Sequence, residues 1–337
     1  MFKNVMVYRI GEGFAPTLAE VQAALEPAQF VECGASQEKS VGWIPPRGEA
    51  YGPLIESVSG QWIVKLMIES KAVPGNVVRR KADERIAEIE AATGRKPGKK
   101  EKRDIMDDVL MSLLPQAFAR QSTVIVWMDL ENRRLVLNAG SQGKADEVMS
   151  ALMNVLTGLS VSLIQTVTSP QAAMTQWLLA PTEDEWPADL TVERETVLKS
   201  TGEDAASVRF TRHHLANDDV RKHVMEGKLP TQLALSWDGR VAFVLTDTLQ
   251  LKKVQYLDGV MDESGTDKNE DRFDADVALS TGLLGPLIDS LIDALGGEMT
   301  LGADAADSAP PPRQATAPFS PSTAMAAADT ADEGPPF

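Results

Sequence analysis

His213, His214 and His223 are the side chains in this chain best suited to metal or proton chemistry. Their spacing can bring them together, but no H-E-x-x-H is present and the single cysteine, Cys33, cannot complete a Cys-based zinc set. No metal is expected, and "RHH" reads as a turn or as donors to a phosphate. Three other stretches imitate known sites. "GEGFAP" begins like a dinucleotide loop but has Pro16 where the last glycine belongs. "GASQEKS" (34–40) resembles a phosphate-binding loop, yet Glu38 holds the glycine position before Lys39. "DKNEDRFDADVA" (267–278) imitates a calcium loop with Arg272 for the turn glycine and Ala278 for the bidentate acid. The acidic stretch 262–276 reads most simply as a solvated linker. No catalytic residue and no cofactor follow from these patterns.

Charge is more informative. The chain carries 33 Lys and Arg against 49 Asp and Glu, a net −16. Taken alone, that argues against nucleic acid, because duplex binding rests on neutralising phosphates. Yet residues 79–103 hold ten cations and five acids, so this segment is +5 and the remainder −21. Within it, "RRKADERIAEIE" fits a solvated helix face laced with i,i+4 pairs. "RKPGKKEKR" has a single acid and fits that reading less well. Gathered on one surface, such cations can hold DNA while acid elsewhere repels it from other faces.

The elements that must position these groups follow from periodicity. Strands are expected at 4–10, 41–48, 60–70, 160–167 and 249–258, with a hairpin over 122–140 turning near Glu131-Asn132. Thr17 and Glu20 form a capping box opening a helix over 17–28. Residues 75–114 become helical, with Val78, Ala82, Ile86 and Ile89 on one stripe, a break at "TGRKPG", and Ile105, Met106, Val109, Leu110, Leu113 and Leu114 on a second. This helix hairpin is inserted between strands and should project from them. Pro115 stops its second helix, and Phe118 follows between two alanines. Further helices are expected at 144–159, 170–181 and 217–227, the last with Asn217 as N-cap and Gly227 at its end. "SVRFTRHHL" reads as a strand running into a loop. Asp238-Gly239 between alternating runs marks a type I′ hairpin over 232–245. Leu283 to Leu295 give a last helical stripe, with Pro286 placing the regular start near Gly285.

These elements make an α+β chain of several parts, with a hydrophobic share of 43% that can fill sizeable cores. The parts are a mixed α/β unit over 1–74 and 117–180, a helical insertion over 75–116, a second mixed unit over 181–300, and a disordered Pro- and Ala-rich tail over 301–337. No charged segment followed by a long apolar one opens the chain, and no run reaches the ~18 apolar residues of a membrane helix. A reducing cytoplasm and no membrane partner are expected.

"FKNVMVYRI", "GWIPPRG", "LLPQAFARQS", "KLPTQLALSWDGRVAFVLTD" and "RFDADVALSTGLLGPLIDSLIDALGGE" occur in that order. In this the chain resembles the recombination-associated protein RdgC family over about residues 1–298. The resemblance implies a nucleoid-associated, non-enzymatic DNA binder. It implies a central α/β part over 1–74 and 117–180, a helical tip over 75–116 and a base over 181–300, in a ring-shaped homodimer with a hole wide enough for duplex DNA, closed by contacts at tip and base. Binding would be indifferent to sequence, single strands being a further possible ligand, and would limit the access of the RecA recombinase to DNA. Phe118 corresponds to a phenylalanine at the subunit contact, the bland alternative being a core side chain. Arg120, Arg209, Arg212, His213 and Lys222 are expected to face the hole, with Lys99, Lys100, Lys102 and Arg103 contributing from the tip. "RHH" departs from the family's Lys and Gln at that point. The competing classes are a protein-interaction regulator of the recombinase that leaves DNA alone and a nuclease.

Overall fold

The computed structural model describes residues 2–201, 206–257 and 269–299. Twelve strands and seven helices follow in chain order among them. The first half runs β1 Met6–Ile10, α1 Leu18–Leu25, β2 Lys39–Ile44, β3 Ile55–Val58, β4 Gln61–Lys71, α2 Gly75–Thr93, α3 Lys99–Leu113, β5 Ala119–Asp129, β6 Arg134–Leu137 and α4 Gln142–Val155. The second runs β7 Val161–Leu163, α5 Pro170–Leu179, β8 Leu190–Ser200, β9 Ser207–Thr211, α6 Asp218–Met225, β10 Lys228–Trp237, β11 Val241–Thr246, β12 Leu251–Tyr256 and α7 Asn269–Ala294. The α+β expectation holds. The proposed tail lies outside the described residues.

Two antiparallel sheets carry the fold. The first is ordered β2-β4-β5-β6-β1-β7, with β3 also paired to β4. The second is ordered β12-β11-β10-β8-β9. One face of the first sheet (Met6, Tyr8, Leu66, Val126, Leu137) is buried under Val21 and Leu25 of α1 and Val148 and Leu152 of α4. Its other face (Val7, Ile63, Trp127, Val136) shares a core with α5, α7 and the second sheet. Helix α7 ties the sheets together. Arg134 of β6 pairs with Asp289 and donates to the Gly285 carbonyl, and Trp237 of β10 donates its indole N–H to Ser290 Oγ at 3.1 Å. By length and composition alone α7 could span a bilayer over Arg272–Ala294. Its apolar stripe is instead used in the core, with Leu284, Leu287, Ile288, Leu291 and Leu295 all buried.

Local chemistry accounts for most boundaries. Thr17 and Glu20 form the expected capping box. Asp238 and Gly239 both take positive φ, as a type I′ turn requires, and Arg240 N–H closes the turn onto the Trp237 carbonyl. Three expectations need correction. The last helix begins at Asn269 rather than near Gly285, so Pro286 lies inside it and residues 269–276 are helical, neither solvated linker nor calcium loop. Tertiary anchoring carries it through the proline: Arg47 pairs with Asp274 at 2.7 Å and stacks over Phe273, and Val277 is buried. Two strands, β3 and β8, were not foreseen, and β7 is shorter than the run 160–167.

The helix hairpin connects two strands that are themselves paired, from Trp62↔Met128 to Lys71↔Ala119. Helices α2 and α3 therefore leave and return at the same end of one ladder. The hairpin is secured where α3 runs through a 3-10 turn over Leu114–Gln116, where Leu114 is fully buried. Leu114→Ala is expected to cost roughly 2–5 kcal/mol of stability, the range for a buried leucine truncated to a cavity. Chemical denaturation of parent and variant measures it, and a loss under about 1 kcal/mol would mean that the site collapses freely.

Candidate nucleic-acid interface

The basic segment divides into two kinds of cation. Arg80, Arg85, Arg95 and Lys96 pair with Glu84, Glu88, Glu101 and Glu90. Arg79, Lys81, Lys99, Lys100, Lys102 and Arg103 are exposed and make no ion pair with any described residue. Lys99, Lys100, Lys102 and Arg103 fill four of the first five positions of α3, where the helix dipole disfavours positive charge by ~0.3–1 kcal/mol apiece at exposed sites. Glu101, the one acid there, accepts from the Gly98 N–H at 3.4 Å and is engaged by Arg95. Four cations held against the dipole are poorly explained as a merely solvated face.

Phe118 stands beyond the buried Leu114 and is 93% exposed, so it is no part of the core. Arg120 is exposed on β5 opposite Ser70, without an ion pair among the described residues. Beside it lies Glu69, whose carboxylate accepts from Gln121 Nε2 at 2.6 Å and the Cys33 N–H at 2.7 Å. These two bonds hold its carboxyl below the usual range despite its burial.

The other expected residues gather at the outer edge of the second sheet. Arg209 on β9 is exposed but engaged, 2.5 Å from Glu195. Arg212 takes a left-handed φ of 55°, is exposed and has no ion pair among the described residues. The following loop is fastened at three points. His213 N–H donates to the Arg194 carbonyl at 3.2 Å, Asn217 Nδ2 lies 3.0 Å from His213 Nδ1, and Asn217 caps α6 through the Val220 N–H. The Phe210 ring packs against both His213, with ring centroids 5.4 Å apart, and His223, at 5.9 Å. This packing sets α6, with its exposed Lys222, beside the loop. No hydrogen bond, ion pair or ring contact among the described residues joins this group to the α3 cations.

No cluster of three or more His, Cys, Asp or Glu side chains suited to a metal occurs among the described residues. "GASQEKS" leads into strand β2, not a helix, so it offers no helix N-terminus to a phosphate. Residues that the sequence reading missed are Glu193, Arg194, Glu195 and Lys253, on strands β8 and β12. The alternation of charge in "VERE" was the only signal of the first three.

A two-sheet α+β protein with a helix hairpin inserted in one ladder, and unpaired cations on the hairpin and on a sheet edge, is the class defined so far. The sequence model of the family described as "Putative exonuclease, RdgC" matches residues 1–298, and the chain belongs to the RdgC family. It is 40% identical over 299 residues to the "Recombination-associated protein RdgC" of Herminiimonas arsenicoxydans, covering 88% of this chain and 98% of that protein. It is 37% identical over 303 residues to the protein of the same name from Dechloromonas aromatica, with the same two coverages. The family resemblance seen in the motifs is thereby shown.

Proposed function

We propose that the chain is a sequence-indifferent DNA-binding protein. In this reading it closes as a homodimeric ring around duplex DNA at the nucleoid and limits the access of the RecA recombinase to it. The observation that carries the reading is that seven of the cations expected at DNA are exposed with no ion pair among the described residues: Lys99, Lys100, Lys102, Arg103, Arg120, Arg212 and Lys222. In a chain of net −16, free cations kept at such positions are best explained by an external anion. The names of the relatives tie that anion to recombination, hence to DNA. Phe118, exposed beside the hairpin, supplies an anchor for a second copy. No cofactor enters this reading.

A mobility-shift assay with recombinase-free duplexes of random sequence tests it. Retardation of every sequence to a similar degree is expected. Absence of a shift, with capture of the recombinase alone, would favour the protein-interaction reading. The family's description favours an exonuclease as a second reading. End-labelled duplex incubated with magnesium or manganese distinguishes it: release of labelled mononucleotides would establish it, and intact label is expected.

A further inference from the structure

On the open face of the second sheet lies a cavity of about 570 Å³. Its floor is small, Ala234 of β10 and Ala242 of β11, and its walls are charged, with Arg194, Glu195, Arg212 and Lys253 among them. Two irregularities in the ladders build it. Leu233 pairs with Thr196 but Leu235 pairs with Val192, so Glu193, Arg194 and Glu195 all stand opposite the single Ala234. Ala242 pairs with Gln255 but Val244 pairs with Lys252, so Lys253 and Val254 stand opposite the single Phe243. Bulges re-aim side chains, and they are over-represented next to functional sites. Here two of them, on strands separated by two others, turn opposite charges toward one place.

Those charges meet over the alanines. Glu195 Oε1 lies 3.1 Å from Lys253 Nζ and 2.5 Å from Arg209 Nη2. Burial pushes the Glu195 carboxyl up, but the hydrogen bonds and charges of Lys253 and Arg209 outweigh it, so the group stays ionised. Glu193 is occupied differently, accepting from Ser236 Oγ at 2.8 Å. Lys253 reaches its place through a left-handed φ of 53°, and Arg212 on the rim through one of 55°. A non-glycine residue in that conformation is strained, and such strain collects at functional sites. His213 N–H on the Arg194 carbonyl fixes the rim loop to the β8 bulge.

We propose that this cavity seats one phosphodiester of the bound duplex, and that Glu195 is its built-in counter-ion, holding Arg209 and Lys253 in the free protein until the phosphate takes its place. The inference rests on the DNA-binding reading and deepens it. A carboxylate and a phosphodiester carry the same single charge and both accept from a guanidinium and an ammonium. The exchange therefore keeps the local balance, and the cost of releasing Glu195 is set against each phosphate gained. The cations of this site are thus kept from grasping other anions while DNA is absent.

The test compares the parent, Glu195→Gln and Lys253→Gln on a random-sequence duplex across a salt series. Glu195→Gln removes the competing charge. It is expected to bind about three- to tenfold tighter, because no carboxylate has to be displaced, with a salt slope steeper by at most about 0.9, the value for the one phosphate seated there. Lys253→Gln is expected to bind several-fold more weakly than the parent, and adding it to Glu195→Gln should erase most of the gain. Ala242→Leu keeps every charge but fills the floor, and should also weaken binding. It and Lys253→Gln carry the test if Glu195→Gln does not fold. Parental DNA binding with a folded Glu195→Gln no tighter than the parent, or with Lys253→Gln and Ala242→Leu both unchanged, overturns the inference alone. A parent that binds no duplex at all overturns the DNA reading and this inference with it.

Discussion

Raising the salt from 50 to 200 mM should weaken binding of a random duplex by roughly 10³–10⁵-fold, the loss for about six to ten neutralised phosphates. Seven of the cations proposed to face DNA are exposed without an ion pair among the described residues, so half of those in a pair of chains already supplies that number. Each contact releases condensed counterions, and log K should fall by about 0.9 per contact with log salt. Phosphates look alike at every base pair, so duplexes of equal length and different sequence should bind alike. The double variant Arg212→Ala with His213→Ala should lower affinity for all of them by a similar factor and flatten the slope by about 0.9. Arg212 carries most of this effect, because the His213 ring is already engaged by Asn217 and Phe210. A strong preference for one motif, or binding indifferent to salt, would sink the reading, and unchanged binding in a folded, dimeric double variant would refute the assignment of Arg212 and His213 to the DNA surface.

Much of the scaffold for these cations was legible because local signals and tertiary demands agree. The capping box at Thr17, the break between α2 and α3 and the Asp238-Gly239 turn each declare one geometry. The failures have specific causes. In β8 the alternation of Leu190 and Val192 is interrupted by Glu193-Arg194-Glu195, and a strand carrying a bulge loses the period by which strands are read. Strand β3 is four residues long, and its turn to β4 is made by Ser59 and Gly60, both at positive φ, a signal easily passed over. The first turns of α7 are acidic and are anchored by Arg47, which is far away in sequence. The split of the basic segment into paired and unpaired cations depends on which acid each side chain reaches, a matter of folding and not of composition. The Glu195 site is the extreme case, since β8, β9 and β12 all contribute to it.

Phe118→Ser should leave the fold intact and change how long the protein stays on circular DNA. The two sides of the hairpin's last turn are energetically unlike. Leu114 is fully buried and anchors α3, whereas Phe118, four residues on, is 93% exposed. Its neighbours Ala117 and Ala119 have no bulk to cover the ring, so a large apolar side chain is presented to solvent at a cost the folded chain alone does not recover. An anchor seated in a partner's surface recovers it, and aromatic anchors of this kind commonly cost about 2 kcal/mol or more on truncation. In a ring closed at two contacts, losing one gives no free monomers. It gives a dimer held at the base and open at the hairpin, which touches DNA with the same cations but lets a duplex out sideways. Sedimentation should therefore still report a dimer, the melting transition should match the parent's, and dissociation from circular DNA should be faster by an order of magnitude or more, the factor corresponding to about 1.4 kcal/mol. Linear duplex supplies the internal control, since its ends already allow escape and the variant should lose much less there. A melting transition lowered as in Leu114→Ala would return Phe118 to the core. A folded variant that keeps circular DNA as long as the parent would show that Phe118 closes nothing.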